Sequence, residues 1–185
     1  MAKGEGRSKA RCFAYVAAFV VFQTAIILVF ALTVMRIKSP KVRFNAVHVE
    51  SLGSGNTTST SFNMRLTTQF TVKNTNFGHF KYDNSTLTIL YDGMPVGDAV
   101  IPKGRAKARK TQKFTVIIDI SSDRLPSSGN LGNDMNTGVL MLSSQAKLKG
   151  KVELMKVMKR KKSGEMSCTM GINIGTRAVQ DLKCK

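Results

Sequence analysis

Residues Cys12 to Met35, CFAYVAAFVVFQTAIILVFALTVM, run for 24 positions without a formal charge, and no other feature limits the fold of this chain so strongly. As an α-helix rising about 1.5 Å per residue, the run reaches about 36 Å, enough to cross a hydrocarbon core about 30 Å thick with some tilt. A cleaved secretory signal would have a shorter apolar stretch, about 7 to 15 residues, ending at a small-x-small site. This run instead passes through Leu32-Thr33-Val34-Met35 into Arg36 without such a site. The sequence therefore predicts a basic tail over 1–11, an uncleaved transmembrane helix over 12–35 and one folded domain over 36–185.

Flanking charge does not orient the helix, because Lys3, Arg7, Lys9 and Arg11 precede it while Arg36, Lys38, Lys41 and Arg43 follow it. Two features of the domain break the tie. It holds two N-x-[ST] acceptors, Asn56-Thr57-Thr58 and Asn84-Ser85-Thr86, and two cysteines near its end, Cys168 and Cys184. Both suit an oxidising, extracytoplasmic compartment, so the tail is expected inside the cell and the domain outside. Asn56 is the better glycan acceptor, lying in the turn-rich Gly53 to Ser59, whereas Asn84 immediately precedes a predicted strand.

From Arg36 onward the periodicity changes. Phe62, Met64, Leu66, Thr68, Phe70 and Val72 alternate with Asn63, Arg65, Thr67, Gln69, Thr71 and Lys73, the two-residue repeat of a half-buried strand. Similar alternation covers Val42 to Ala46, Leu87 to Tyr91, Phe114 to Ile120, Val139 to Leu148, Val152 to Met158, Met166 to Ile174 and Ala178 to Cys184. Breakers separate these runs at Gly53 to Ser61, Asn74 to Gly78, Asp92 to Pro95, Pro102 to Ala108, Ser121 to Gly138 and Ser163-Gly164. A helical turn or two fits only Ser122 to Asn136. The fold class is all-β, an antiparallel β-sandwich of immunoglobulin or fibronectin-III type with seven or eight strands. If Ile174 faces Ala178 across the last turn, the register also sets Cys168 opposite Cys184. A disulfide there would close a loop of about 15 residues, contributing about 3 kcal/mol in the chain-entropy description.

The 185 residues carry 29 Lys+Arg against 11 Asp+Glu, and the 42% hydrophobic content places the chain among folding sequences, away from disordered ones. After Met35 the balance is 25 basic to 10 acidic, a net charge of +15. Much of it clusters: Lys103, Arg105, Lys107, Arg109, Lys110 and Lys113 between two strands, and Lys156, Lys159, Arg160, Lys161 and Lys162 beside Ser163-Gly164. These clusters are candidates for binding a polyanion, either acidic cell-wall polysaccharide or anionic lipid head groups. Nucleic acid is not an expected partner, because the clusters lack interleaved aromatics and recognition motifs. No catalytic, cofactor or metal motif is present: His48 and His79 stand apart, and there is no HExxH, CxxC, G-x-S-x-G or Walker A pattern. The chain reads as no enzyme and needs no cofactor.

The stretch Asn74-Thr75-Asn76-Phe77-Gly78-His79-Phe80-Lys81-Tyr82-Asp83-Asn84, with Leu87-Thr88-Ile89-Leu90-Tyr91-Asp92-Gly93-Met94-Pro95-Val96-Gly97 after it, resembles the shared core of plant late embryogenesis abundant proteins of the second, atypical group. That group includes the non-race-specific disease resistance and harpin-induced-like membrane proteins. Thr75 departs from the family's Asn-Pro-Asn, while both asparagines, which suit turns, remain. The short basic tail, single apolar span and late cysteines extend the resemblance over nearly the whole chain. It implies a β-sandwich anchored in a plant membrane, often the plasma membrane, linked to stress and defence responses, with no catalytic residues to carry over. The expected function is a non-catalytic module that binds or organises membrane or defence proteins at the outer membrane surface. The alternative is a lipid-handling module.

Overall fold

The computed structural model describes residues 5–54, 61–125, 130–154 and 158–185. They divide into two compact units, Met1–Ile37 and Lys38–Lys185. The first is one helix, α1 (Glu5–Val34), which begins within the basic tail. Its segment Arg11–Val34 is 24 residues long, apolar enough to cross a membrane, and buries none of its surface. The polar side chains Thr24 and Thr33 return their hydroxyls to the helix backbone, donating to the carbonyls of Val21 (2.8 Å) and Val29 (2.7 Å). Neither therefore presents an unmatched donor along the apolar surface.

Among the described residues the second unit is a sandwich of ten strands: β1 (Lys41–Ser54), β2 (Phe62–Lys73), β3 (His79–Tyr82), β4 (Ser85–Tyr91), β5 (Met94–Ile101), β6 (Gly104–Ala106), β7 (Thr111–Ser121), β8 (Val139–Leu154), β9 (Met158–Asn173) and β10 (Ala178–Cys184). One sheet has the order β1-β2-β7; the other runs β10-β9-β8-β3-β6, with β4 also on β8 and β5 beside β4. All pairings are antiparallel. The class matches the sequence reading, and the larger strand number has a local cause. β3 and β6 are too short to display a period, and Pro95 and Gly97 interrupt the alternation of β5. A short helix, α2 (Leu131–Thr137), and a 3-10 turn (Ser122–Arg124) lie in the connection to β8.

Alternation along the strands sends one set of side chains inward, and Phe62, Leu66, Phe70, Phe80, Leu87 and Ile118 are fully buried between the layers. Each contributes about 1.5 to 3 kcal/mol by leaving water. At the far rim Tyr91, itself buried, donates to Asp134 Oδ2 at 2.8 Å and so ties α2 to β4. Burial, then that hydrogen bond and the charges of Asp134 and Asp92, push the Tyr91 hydroxyl up to about 12. The β4–β5 turn is two residues long, Asp92 and Gly93, with φ of 47° and 79°. Two successive left-handed residues match the twist of the hairpin they join.

Ser163-Gly164, read from the sequence as a turn, lies inside β9 opposite Lys149 and Leu148. The glycine serves a close approach. A Cβ at Gly164 would come within 2.7 Å of Val42 Cγ2 and 3.0 Å of the Pro40 carbonyl, where the start of β1 crosses β9. The last hairpin differs from expectation in register. Asn173 faces Ala178 and Gly171 faces Gln180, and a bulge after Gln180, with Asp181 at φ 52°, shifts the remaining pairs by one residue. Lys183 then faces Thr169, and Cys184 faces Cys168, to which it is joined by a disulfide.

Asn74 and Asn76 are buried at the end of the sandwich where the chain begins. The Asn74 amide donates to the carbonyls of Gly78 (2.8 Å), Lys107 (3.1 Å) and Ala106 (3.2 Å), and its Oδ1 accepts from the Asn76 backbone N–H at 3.0 Å. Asn76 Oδ1 accepts from the Lys38 N–H at 2.6 Å, and Asn76 Nδ2 donates to the Lys38 carbonyl at 2.7 Å. The two asparagines thus fasten the first residue of the unit to two inter-sheet connections, β2 to β3 and β6 to β7.

Candidate polyanion-binding face

In β3, β6, β8 and β9 the positions between inward-facing residues are largely cationic. Lys81 stands between buried Phe80 and Tyr82, Arg105 precedes buried Ala106, and Lys147, Lys149 and Lys151 alternate with buried Leu148 and a glycine. A period of two turns all of them outward. The register then stacks them: Arg105 pairs with Lys81, Lys81 with Lys151, and Lys151 with Lys161. Four cations therefore form one rung across four strands, spanning about 14 Å at the usual strand spacing of about 4.8 Å. The neighbouring rung holds His79, Glu153 and Lys159, and on the other side Lys149 faces Ser163.

Two carboxylates moderate this face. Lys81 Nζ lies 2.7 Å from Glu153 Oε2, and Lys147 Nζ lies 2.7 Å from Glu165 Oε1. The hydrogen bond from Lys81 holds the Glu153 carboxyl below its ordinary range, with smaller help from Lys159 and His79. Beyond them the row carries like charges directly opposite one another, an arrangement that opposes sheet pairing. Between the lysines lies a depression of about 440 Å³, bordered by Asp83, Lys149, Lys151, Lys161 and Ser163.

The structure divides the basic clusters anticipated from sequence. Arg105 and Lys161 stand in the central rung, Lys159 in the next, and Lys103 and Lys107 are exposed at either end of β6. Arg160 and Lys162 face Val152 and Gly150, so they project from the other side of β9. The sequence reading placed Lys159 to Lys162 together beside a turn, whereas they lie on a strand whose alternation separates them. Arg109 and Lys110 occupy the bend before β7, and Lys113 faces Thr71 on the other sheet. Lys156 lies outside the described residues. The sequence reading missed Lys81, Lys149 and Lys151. The signal for Lys149 and Lys151 was Lys-x-Lys-x-Lys from Lys147 within a strand, which a search for contiguous charge passes over, whereas Lys81 carried no such signal.

Of the glycan acceptors, Asn84 is exposed between β3 and β4, its Oδ1 accepting from the Lys103 N–H at 2.6 Å, and Asn56 lies outside the described residues. His79 Nδ1 accepts from the Ala108 N–H at 3.3 Å. Among the described residues, no three His, Cys, Asp or Glu side chains converge as a metal site.

A family model described as late embryogenesis abundant protein, LEA_2, matches residues 69–170, from within β2 to within β9. A late embryogenesis abundant protein of Arabidopsis thaliana is 34% identical over 178 residues, covering 95% of this chain and 83% of that one. A solution structure of another Arabidopsis thaliana protein covers 74% of this chain and 83% of its own at 14% identity, with a TM-score of 0.48. A crystal structure of an Archaeoglobus fulgidus protein covers 68% of this chain and 94% of its own at 12% identity, with a TM-score of 0.37. Both superpositions are too loose to carry an argument. The family match and the extent of the identical relative are sufficient by themselves: the chain belongs to the late embryogenesis abundant protein family, LEA_2.

Proposed function

We propose that this protein is a membrane-anchored, non-catalytic sandwich of plant stress and defence responses, binding a polyanionic partner at the outer surface of the plasma membrane. The observation that carries this reading is the cross-strand row Arg105, Lys81, Lys151 and Lys161. A flat row of evenly spaced cations suits a linear polymer with one carboxylate per sugar, so the partner is acidic cell-wall polysaccharide. The apolar length of α1 supports anchorage, and exposed Asn84 together with the Cys168–Cys184 bridge supports an extracytoplasmic domain. Filling of the space between the sheets by Phe62, Leu66, Phe70 and Phe80 leaves the lipid-carrying alternative without a supporting observation.

The test is co-sedimentation of the full chain, held in zwitterionic nanodiscs, with polygalacturonate. Binding should weaken steeply from low to physiological salt. Changing Lys81, Arg105, Lys151 and Lys161 together to glutamine should weaken it by about two orders of magnitude or more, at about 1 kcal/mol per well-placed charge. The same change at Lys159, Arg160, Lys161 and Lys162 should weaken it less, because two of those residues point away. Affinity indifferent to salt and to both variants would reduce the row to solubilising charge. Glycosidase digestion with protease protection on sealed membranes tests sidedness: cleavage of the domain from the cytosolic side, with no glycan shift, would reverse it.

A further inference from the structure

We infer that the loop following β2 is a docking site for anionic phospholipid, in which Phe77 enters the head-group layer while Arg109 and its neighbouring lysines pair with lipid phosphates. The inference rests on the anchored reading above and adds a second contact to it.

Phe77 is 47% exposed, whereas Phe44, Phe62, Phe70, Phe80, Tyr82 and Tyr91 are buried in the same unit. Its placement is fixed. Asn74 and Asn76 on one side and Gly78 on the other bind the loop into the sandwich through the buried amide network, so the ring stands on a rigid support. The Arg109 guanidinium carbon lies 4.9 Å from the ring centroid, and the Arg109 N–H donates to the Asn76 carbonyl at 3.0 Å. Arg109 adopts φ 56°, a left-handed conformation unusual for a residue with a side chain, and the bend it makes leaves Lys107 and Lys110 exposed beside it. An exposed apolar ring with a cation against it and two more beside it in the chain suits an anionic membrane surface, the ring entering the head-group layer and the charges meeting the phosphates.

Covalent reach makes the partner specific. Asn76 grips both main-chain polar groups of Lys38. Only Met35, Arg36 and Ile37 separate Lys38 from Val34, the last residue of α1, so the grip lies within about 14 Å of the helix end in any orientation of the domain. If α1 spans the bilayer, Asn76, and with it the adjacent Phe77, stays tethered to the helix end through Lys38.

The chain contains no tryptophan, so Phe77→Trp supplies a sole indole reporter. The full chain is reconstituted into phosphatidylcholine vesicles with and without phosphatidylserine, using lipids brominated near the head group. Ile117→Trp, exposed on the outer face of the other sheet, is the control. In serine-containing vesicles the Phe77→Trp emission should shift blue and lose at least half its intensity to bromine. The effect should shrink without phosphatidylserine or with added Arg109→Glu, and the control should not respond. In the unaltered chain, hydrogen exchange over 74–78 should slow only in the anionic bilayer, a readout independent of how well the variant folds. A chain that resists alkaline carbonate but shows neither quenching nor slowed exchange overturns the docking site and leaves the anchor standing. Release by carbonate overturns both. Protection of the loop by polygalacturonate in place of the vesicle also overturns it, making the loop part of a polysaccharide contact.

Discussion

The outer faces of the two sheets are built on the same two-residue period and treat charge in opposite ways. On the three-stranded sheet, Arg65 of β2 meets Asp119 of β7 through two bonds, at 2.6 and 3.2 Å. Thr67 donates to Glu50, and Asn45 donates to Gln69 at 2.8 Å. Polar groups at the centre of that face are matched across strands, and the matching supports the pairing it spans, although Lys41 faces Lys73 at its end. On the seven-stranded sheet the register sets Arg105, Lys81, Lys151 and Lys161 side by side, with Glu153 as the close carboxylate. The first face pairs its central charges within the chain. The second is left with an excess of cations, which in the reading proposed above an external anion would balance.

The largest effect expected from perturbing this contrast lies at the edge of the cationic sheet. Cys168→Ser with Cys184→Ser opens the link across a sequence separation of 16 and should lower stability by about 3 kcal/mol. Hydrogen exchange should then quicken in β10 and adjoining β9 while β1, β2 and β7 keep their local protection; an unchanged denaturation midpoint would show the link to be idle.

A reciprocal exchange of charges sharpens the contrast directly. Lys151→Glu converts two like-charged pairs into opposite ones, so the variant should melt higher while polyanion affinity, losing two units of charge, falls by about thirtyfold. Asp119→Lys should melt lower, by losing the Arg65 pair, and bind polyanion as before. Parallel responses of melting and binding in both variants would erase the distinction between the faces.

The smallest effect concerns Glu153. Its folded-state pKa is depressed, so its contribution is present above about pH 4.5, the ordinary glutamate value, and is lost as pH falls through the folded value. Glu153→Gln should therefore show a flatter acid limb in a pH series of melting temperatures and bind polyanion up to about fivefold more tightly at neutral pH. A variant curve that tracks the parent below pH 4.5 would remove Glu153 from the acid response.

Strands long enough to repeat, such as β2 and β7, were legible because six inward residues in alternation in the first and four in the second leave one interpretation. β3 and β6 were not, since four residues and three carry no period; β3 is placed by pairing with β8, and β6 by pairing with β3. Gly164 misled for a physical reason: glycine marks turns and also close approaches, and only the path of β1 across β9 decides between them. The candidate face was half legible. Composition showed that the domain is basic, whereas the decisive fact, that residues 81, 105, 151 and 161 share a rung, belongs to pairing between segments far apart in the chain. The run Lys159 to Lys162 drew attention as a block and is divided by the pleat. Lys81, isolated in sequence among aromatics, stands at the centre of the row.

The asparagine network at Lys38 has a mechanical consequence. Any pull transmitted along the chain from an anchored α1 would enter the domain at Lys38. There Asn76 holds the backbone by both its donor and its acceptor, while Asn74 ties the same point to the β2–β3 and β6–β7 connections, each of which passes from one sheet to the other. A pull is thus divided between both layers before it reaches the first pair of the β1–β2 ladder, Lys41 with Lys73. The buried amides act as a strain relief, like the collar where a cable meets its plug, keeping the load from peeling the edge strand away.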